Sequence, residues 1–287
     1  MSLSSNLENA LNLRRDIGNV LWAQDSAPEE IRTNPDLVHV STLVDWCARA
    51  YALSLKYLQH GARTWKPTGA DRLVWAIGRE VERHIRRSLI DGYGPENCFG
   101  RWRCRCGKSY YDNVYKPGMI SACCDTPFNN YSEYVIENWT WRITGSMDFA
   151  IVENGIIVPI EIKSITDSDS GNKTNKGFSS LKKAIGSHAT QLALYGVLLP
   201  DDKLPFPVAD YGLNIYARKE YRFNSPYKYF ELDLSKDSIY RTLADSLKRQ
   251  AASVFDTSKL PTRICNTNES SRAKGCDQCQ GCFTLPP

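Results

Sequence analysis

Asn154-Gly155, set between the apolar-rich runs 139–152 and 156–163, limits this chain's possible folds more than any other feature. A two-residue hairpin turn that matches the twist of its strands needs positive φ at both central residues, and Asn-Gly supplies it. With these two at the centre, Glu153 pairs with Ile156 and the register carries back until Asp148 faces Glu161. A slip of one residue would turn every side chain to the other face. One face then carries Met147, Phe149 and Ile151 against Val158, Ile160 and Ile162, an apolar surface made for a core. The other carries Asp148 and Glu161, with Lys163 two residues beyond, and is expected to look into a cleft. Directly opposed residues hold their Cβ atoms about 4.5–5.5 Å apart, which brings two carboxylates within reach of one divalent cation. Like charges opposed on a sheet destabilise it unless a cation neutralises them. The plainer alternative is a solvated edge with a surface salt bridge to Lys163.

Around this hairpin the pattern is α/β. Helical spacing marks residues 7–22, and 38–58 reads as a strand end entering a helix capped by Ser41 or Thr42. A helix over 71–89 places Ile77, Val81, Ile85 and Leu89 on one stripe and stops at Asp91-Gly92. Residues 92–131 lose periodicity and gain Gly, Pro and Cys, the mark of an insertion held by something other than a hydrophobic core. After the hairpin come a polar loop over 166–177, a helix over 180–199, strands over 209–217 and 227–234, and a helix over 237–255. The expected division is an N-terminal helical extension, 1–40, and one α/β domain, 41–287, containing the 92–131 insertion and a cysteine-rich tail from 261.

With 36 Lys+Arg against 32 Asp+Glu the net charge is +4, too balanced to name a partner. No apolar run reaches the roughly 18 residues of a membrane span, and Met1–Ser5 leads into charged residues rather than a signal core. The expectation is a soluble, cytoplasmic protein without a membrane partner. No phosphate-binding Gly-x-x-x-x-Gly-Lys motif is present, so no motor is encoded.

Ten cysteines in a reducing compartment point to metal. Cys276-x-x-Cys279-x-x-Cys282 leaves one ligand to come from elsewhere, with Cys47 preferred and Cys265 the alternate. The rival is a zinc site made by Cys265, Cys276, Cys279 and Cys282 alone. In the insertion, Cys104, Cys106, Cys123 and Cys124 could form a small zinc knuckle, and Cys98 is expected to be a buried thiol. Between Arg72 and Lys108 nine basic residues outnumber four acidic ones. Trp102 between Arg101 and Arg103 could stack a base while the arginines follow phosphates, with Lys173, Lys176, Lys182 and Lys183 as an opposite wall.

These motifs together resemble the PD-(D/E)XK nuclease superfamily. Gly145-Ser-Met-Asp148 followed by Glu161-Ile-Lys163 is similar to its Asp…(Asp/Glu)-x-Lys core, and Gln191-Leu-Ala-Leu-Tyr195 to the Gln-x-x-x-Tyr motif of its RecB-like branch. His84 resembles that branch's helical histidine. Cys47 with Cys276, Cys279 and Cys282 resembles the four-cysteine iron–sulfur staple of AddB and of the CRISPR-associated RecB-like exonucleases. The resemblance implies a central mixed sheet flanked by helices, a [4Fe–4S] clasp, and metal-dependent hydrolysis of DNA, with free ends or single strands preferred. By the same resemblance Asp148, Glu161, His84 and the carbonyl of Ile162 would hold Mg²⁺ or Mn²⁺, and Lys163 would orient water and offset charge. Gln191 and Tyr195 would touch a phosphate or the catalytic loop. Partners beside DNA would be recombination or CRISPR-adaptation proteins or a separate helicase, and the setting recombination, repair, phage DNA metabolism or CRISPR adaptation. The competing expectation is a non-catalytic DNA-binding module that keeps a zinc or iron–sulfur site.

Overall fold

The structure, a computed structural model, describes residues 36–44, 47–57, 69–166, 177–219, 226–256, 259–274, 276 and 278–284. The helix expected over 7–22 and the lysines Lys173 and Lys176 lie outside them. In chain order the elements are β1 (Val38–His39), α1 (Val40–Leu43), α2 (Ala48–Tyr57), α3 (Gly69–Tyr93), β2 (Cys98–Arg103), β3 (Tyr110–Val114), β4 (Ile120–Ser121), β5 (Thr126–Pro127), β6 (Asn130–Ser132), β7 (Tyr134–Asn138), β8 (Ile143–Met147), β9 (Phe149–Glu153), β10 (Ile156–Ile165), α4 (Gly186–Leu198), β11 (Tyr211–Arg218), β12 (Tyr227–Asp233), α5 (Ile239–Ser253), α6 (Ser271–Lys274) and α7 (Cys279–Thr284).

The turn forms as its residues require, with φ of 51° at Asn154 and 75° at Gly155 and Glu153 paired to Ile156. The register holds as far as Phe149 opposite Ile160 and then stops. The run 139–152 is thus not one strand: β8 belongs to a three-stranded sheet, β1-β8-β7, and β9 to a seven-stranded one. Asp148 is the residue between them, and its Oδ2 accepts the Ile162 amide at 2.9 Å. Because the chain changes sheets here, Met147 packs in a different core from Phe149 and Ile151, contrary to the single apolar face expected.

The larger sheet runs β12-β11-β10-β9-β2-β3 with β6 on β2, and mixes a parallel β10–β11 pair with antiparallel neighbours. Both faces of β10 are covered. Val158, Ile160 and Ile162 pack with Ile85 of α3, while Ile157 on the opposite face packs with Leu192 of α4 and Leu247 of α5. The fold is therefore mixed α/β with helices on both faces of a mixed sheet. α4 is buried from Ala189 to Leu198, as a helix apolar all round must be. It begins at Gly186 rather than at 180, since a short 3-10 turn over Phe178–Ser180 and an extended Ile185 precede it. Among the described residues no helix is long and apolar enough to cross a membrane.

Four further expectations change. α3 runs from Gly69 to Tyr93; Ile85 is buried and Val81 and Leu89 pack beside it as the stripe requires, while Ile77 is exposed and Gly78 faces the sheet. The cap of α1 is His39, whose Nδ1 accepts the Ser41 amide. Residues 92–131 are not a separate subdomain, because β2 pairs with β9 and buries Cys98 and Trp102 in the core beneath the sheet. Leu37, Val38 and Val40 are also buried, so the body starts before residue 41.

Candidate functional site

Asp148 at the crossing of the two sheets, with Glu161 and Lys163 on β10, forms one cluster. Lys163 Nζ is 3.6 Å from Asp148 Oδ2 and ion-pairs more closely with Glu161 Oε1. Glu161 is wholly buried rather than open to a cleft, and apart from Lys163 neither of its oxygens has a hydrogen-bond partner among the described residues. Burial, then the charge of Asp148, pushes the Glu161 carboxyl well above its ordinary range. Burial also pulls on Lys163, but Asp148 and Glu161 outweigh it and hold the ammonium protonated.

Two more carboxyls join them. Glu82 of α3 is raised to about 7 by burial and by Asp148, and Glu133 is raised by the same two causes. Arg86 Nη1 holds Glu133 Oε1 at 2.6 Å. Four carboxyls therefore share this region with two cations, Lys163 and Arg86. Fully ionised, the group carries two surplus negative charges in a poorly solvated place, which matches the charge of one divalent cation.

Glu82 is the residue that sequence reasoning missed. His84 was expected in its place, but two helical residues are about 200° of rotation. With Gly78 and Ile85 against the sheet, Glu82 turns inward and His84 is solvent-exposed, outside the carboxylate cluster. The i, i+4 relation of Glu82 to Gly78 and to Arg86 was a usable signal.

Gln191 and Tyr195 do not reach toward a phosphate. Tyr195 is wholly buried, its hydroxyl donates to the Ser146 carbonyl at 2.6 Å, and Gln191 Nε2 donates to that hydroxyl at 3.1 Å. They pin the end of β8 two residues before Asp148. A Cβ at Gly145 would lie 2.7 Å from Val40 Cγ2 and 3.3 Å from the Tyr195 ring, so β8 passes α1 and α4 at a distance only glycine allows. Two histidines flank Lys163: burial, then its positive charge, lowers His39, and lowers His188 to about 4. The Tyr216 hydroxyl accepts the Ile185 amide at 2.9 Å and shares a hydrogen bond of 3.1 Å with His188 Nδ1.

No protein-family model and no curated protein matches this sequence.

Beside the cluster a groove of about 570 Å³ is lined by Arg83, Arg86, Arg87, Arg103, Glu133 and Ser146 among others. Arg103 Nε donates to Ser132 Oγ at 3.0 Å on its wall. Trp102 is 2% exposed, with its indole donating to the Asn113 carbonyl, so it cannot stack a base. Arg101 is held bidentately by Asp112 at 2.8 and 2.9 Å. Lys182 and Lys183 are exposed on the segment leading to α4.

The cysteines gather in two places. Cys47, Cys265, Cys276, Cys279 and Cys282 line one cavity where α2 meets α7, together with Arg49 and Arg263. Arg49 is wholly buried and donates to the carbonyls of Pro261 at 3.1 Å and Cys282 at 3.5 Å. Cys104, Cys106, Cys123 and Cys124 bring their sulfurs within 4.8 Å of one another, and could hold a metal ion or an iron–sulfur cluster. Cys98 stands apart, its thiol donating to Gly94 O at 3.3 Å and pushed up to about 12 by burial.

Proposed function

We propose that this chain is a divalent-metal-dependent deoxyribonuclease of the RecB-like PD-(D/E)XK type, acting on single-stranded or free-ended DNA. The observation that carries the reading is the buried Asp148–Glu161–Lys163 group with Glu82, whose surplus charge and Glu161 oxygens, partnered by Lys163 alone among the described residues, fit a hard cation. The order of elements supports it: a helix, an antiparallel hairpin, a second helix and a strand parallel to the hairpin's second strand.

Asp148, Glu161 and Glu82 would hold Mg²⁺ or Mn²⁺, with the main chain of Ile162 between the β10 ligand and Lys163. Such an ion supplies Lewis acidity toward a phosphodiester and lowers the pKa of water. The chain's own residues supply position and charge. Lys163 remains an ammonium and is placed to offset charge building on a phosphate. Tyr195 and Gln191 fix the backbone that presents Asp148. Arg87 and Arg103 would draw a phosphate chain into the groove that Glu133 and Ser146 also line. Cys47, Cys276, Cys279 and Cys282 would bind a [4Fe–4S] cluster beside the buried Arg49 cation, a clasp joining α2 to the tail rather than part of the chemistry. Processive degradation would draw on a helicase, in recombination, repair, phage DNA metabolism or CRISPR adaptation.

Incubation with end-labelled single- and double-stranded DNA and Mn²⁺ tests the reading. Cleavage by the wild type that Asp148→Ala abolishes supports a nuclease. DNA binding without cleavage in either chain leaves the recruitment module instead.

A further inference from the structure

We propose that Cys104, Cys106, Cys123 and Cys124 bind a single zinc ion through four thiolates, and that this ion holds together the tip that the β2–β3 and β4–β5 turns form. The site is independent of the carboxylate cluster and of the nuclease reading. The sulfur separations are 3.4 Å for Cys104–Cys106, 3.4 Å for Cys104–Cys123, 3.3 Å for Cys106–Cys123 and 3.8 Å for Cys123–Cys124. Zn–S bonds of about 2.3 Å in a tetrahedron put sulfurs about 3.8 Å apart, so the thiols are gathered at the spacing of one ion. A [4Fe–4S] cluster places each thiolate on a different iron and needs them more widely spread.

Two turns aim the ligands. In the first, the Gly107 amide bonds to Cys104 O at 3.0 Å with Gly107 at φ 73°, and Cys104 N bonds to Ser109 O at 3.1 Å. In the second, the Asp125 amide bonds to Ser121 O at 3.0 Å with Asp125 at φ 50°. Hydroxyls sit on two of the sulfurs, Ser121 Oγ at 2.9 Å from Cys123 Sγ and Thr126 Oγ1 at 2.9 Å from Cys124 Sγ. Donated to thiolates, these are the outer hydrogen bonds that orient metal ligands.

The tip also needs the ion. β4 and β5 have two residues each, and a two-stranded ribbon is marginal even when longer. Met119 and Ile120 on it are exposed, so apolar burial does not hold the turn in place. The ion would tie β4–β5 to the end of β2, where the Cys104 carbonyl accepts Asn130 Nδ2 at 3.5 Å and so meets β6.

Metal analysis of the full-length chain decides this. The wild type is expected to carry one equivalent of zinc more than the Cys104→Ser/Cys123→Ser variant, with iron unchanged between them. Should the variant fail to fold, zinc K-edge absorption of the wild type reads the site directly, and the expected shell is four sulfurs at about 2.3 Å. Stripping the zinc is expected to speed tryptic cleavage after Arg105 and Lys108, both exposed on the tip, at least tenfold. Equal zinc in the two chains, iron lost in place of zinc, a shell containing nitrogen or oxygen, or cleavage indifferent to zinc would each overturn the proposal.

Discussion

Glu82→Gln removes a charge while keeping the side chain's shape, and the structure sets the size and sign of the result. In the fold the Glu82 carboxyl rises from an ordinary 4.5 to about 7, first through burial and then through Asp148. A carboxyl whose folded value is raised favours the folded state fully below 4.5, and that advantage is lost as the pH climbs through 7. Above pH 7 the ionised carboxylate thus costs the metal-free fold at most about 3 kcal/mol. Glutamine has no such cost. In differential scanning fluorimetry without added divalent ions, Glu82→Gln is therefore expected to raise the unfolding temperature at pH 8 by up to about 6–12 °C and to change it little at pH 5. Saturating Mn²⁺ should stabilise the wild type at pH 8 and leave the variant nearly unmoved, since the carboxylate that repels Asp148 is the one that helps hold the cation. A variant less stable at pH 8, or equally shifted at both pH values, would refute the charge argument.

Other substitutions separate the remaining roles. His84→Ala is expected to keep Mn²⁺-dependent cleavage within about twofold, because its side chain lies outside the cluster. Tyr195→Phe leaves the Ser146 carbonyl and the Gln191 amide without their partner, and should cost about 2–4 kcal/mol in urea unfolding while lowering kcat more than raising KM. Cys47→Ser should abolish the iron and its visible absorption without removing zinc from the tip, and should expose the segment after Pro261 to proteolysis.

What the sequence disclosed depended on how strongly each local signal constrains three dimensions. Asn154-Gly155 determines backbone sign and a register that holds to Phe149 opposite Ile160, which leaves Asp148 one residue beyond the last pair and near Glu161 and Lys163, so their meeting was legible. Nothing local marks Asp148 as the place where the chain leaves one sheet for another, since a single residue, neither Gly nor Pro, separates β8 from β9. The stripe set the phase of α3, with Val81, Ile85 and Leu89 on the core, but not which polar residue at its margin turns in, and there Glu82 rather than His84 joins the cluster. Trp102 was misplaced by its charged neighbours, although strand alternation would have put it on the opposite face from Arg101 and Arg103. The Gln191–Tyr195 pair was found, but α4 is apolar on every side, so its polar groups turn inward to the backbone of β8. The close packing of the Cys104 and Cys123 turns depends on β2 joining the central sheet, which periodicity did not reveal.

An electron paramagnetic resonance titration of Mn²⁺ against the wild type and Asp148→Ala, both with their cysteine sites loaded, tests most directly whether the buried acidic cluster is a cation site. The account predicts one Mn²⁺ bound per wild-type chain and none at that site in the variant. Equal binding by the two chains, or no binding by either, would contradict it.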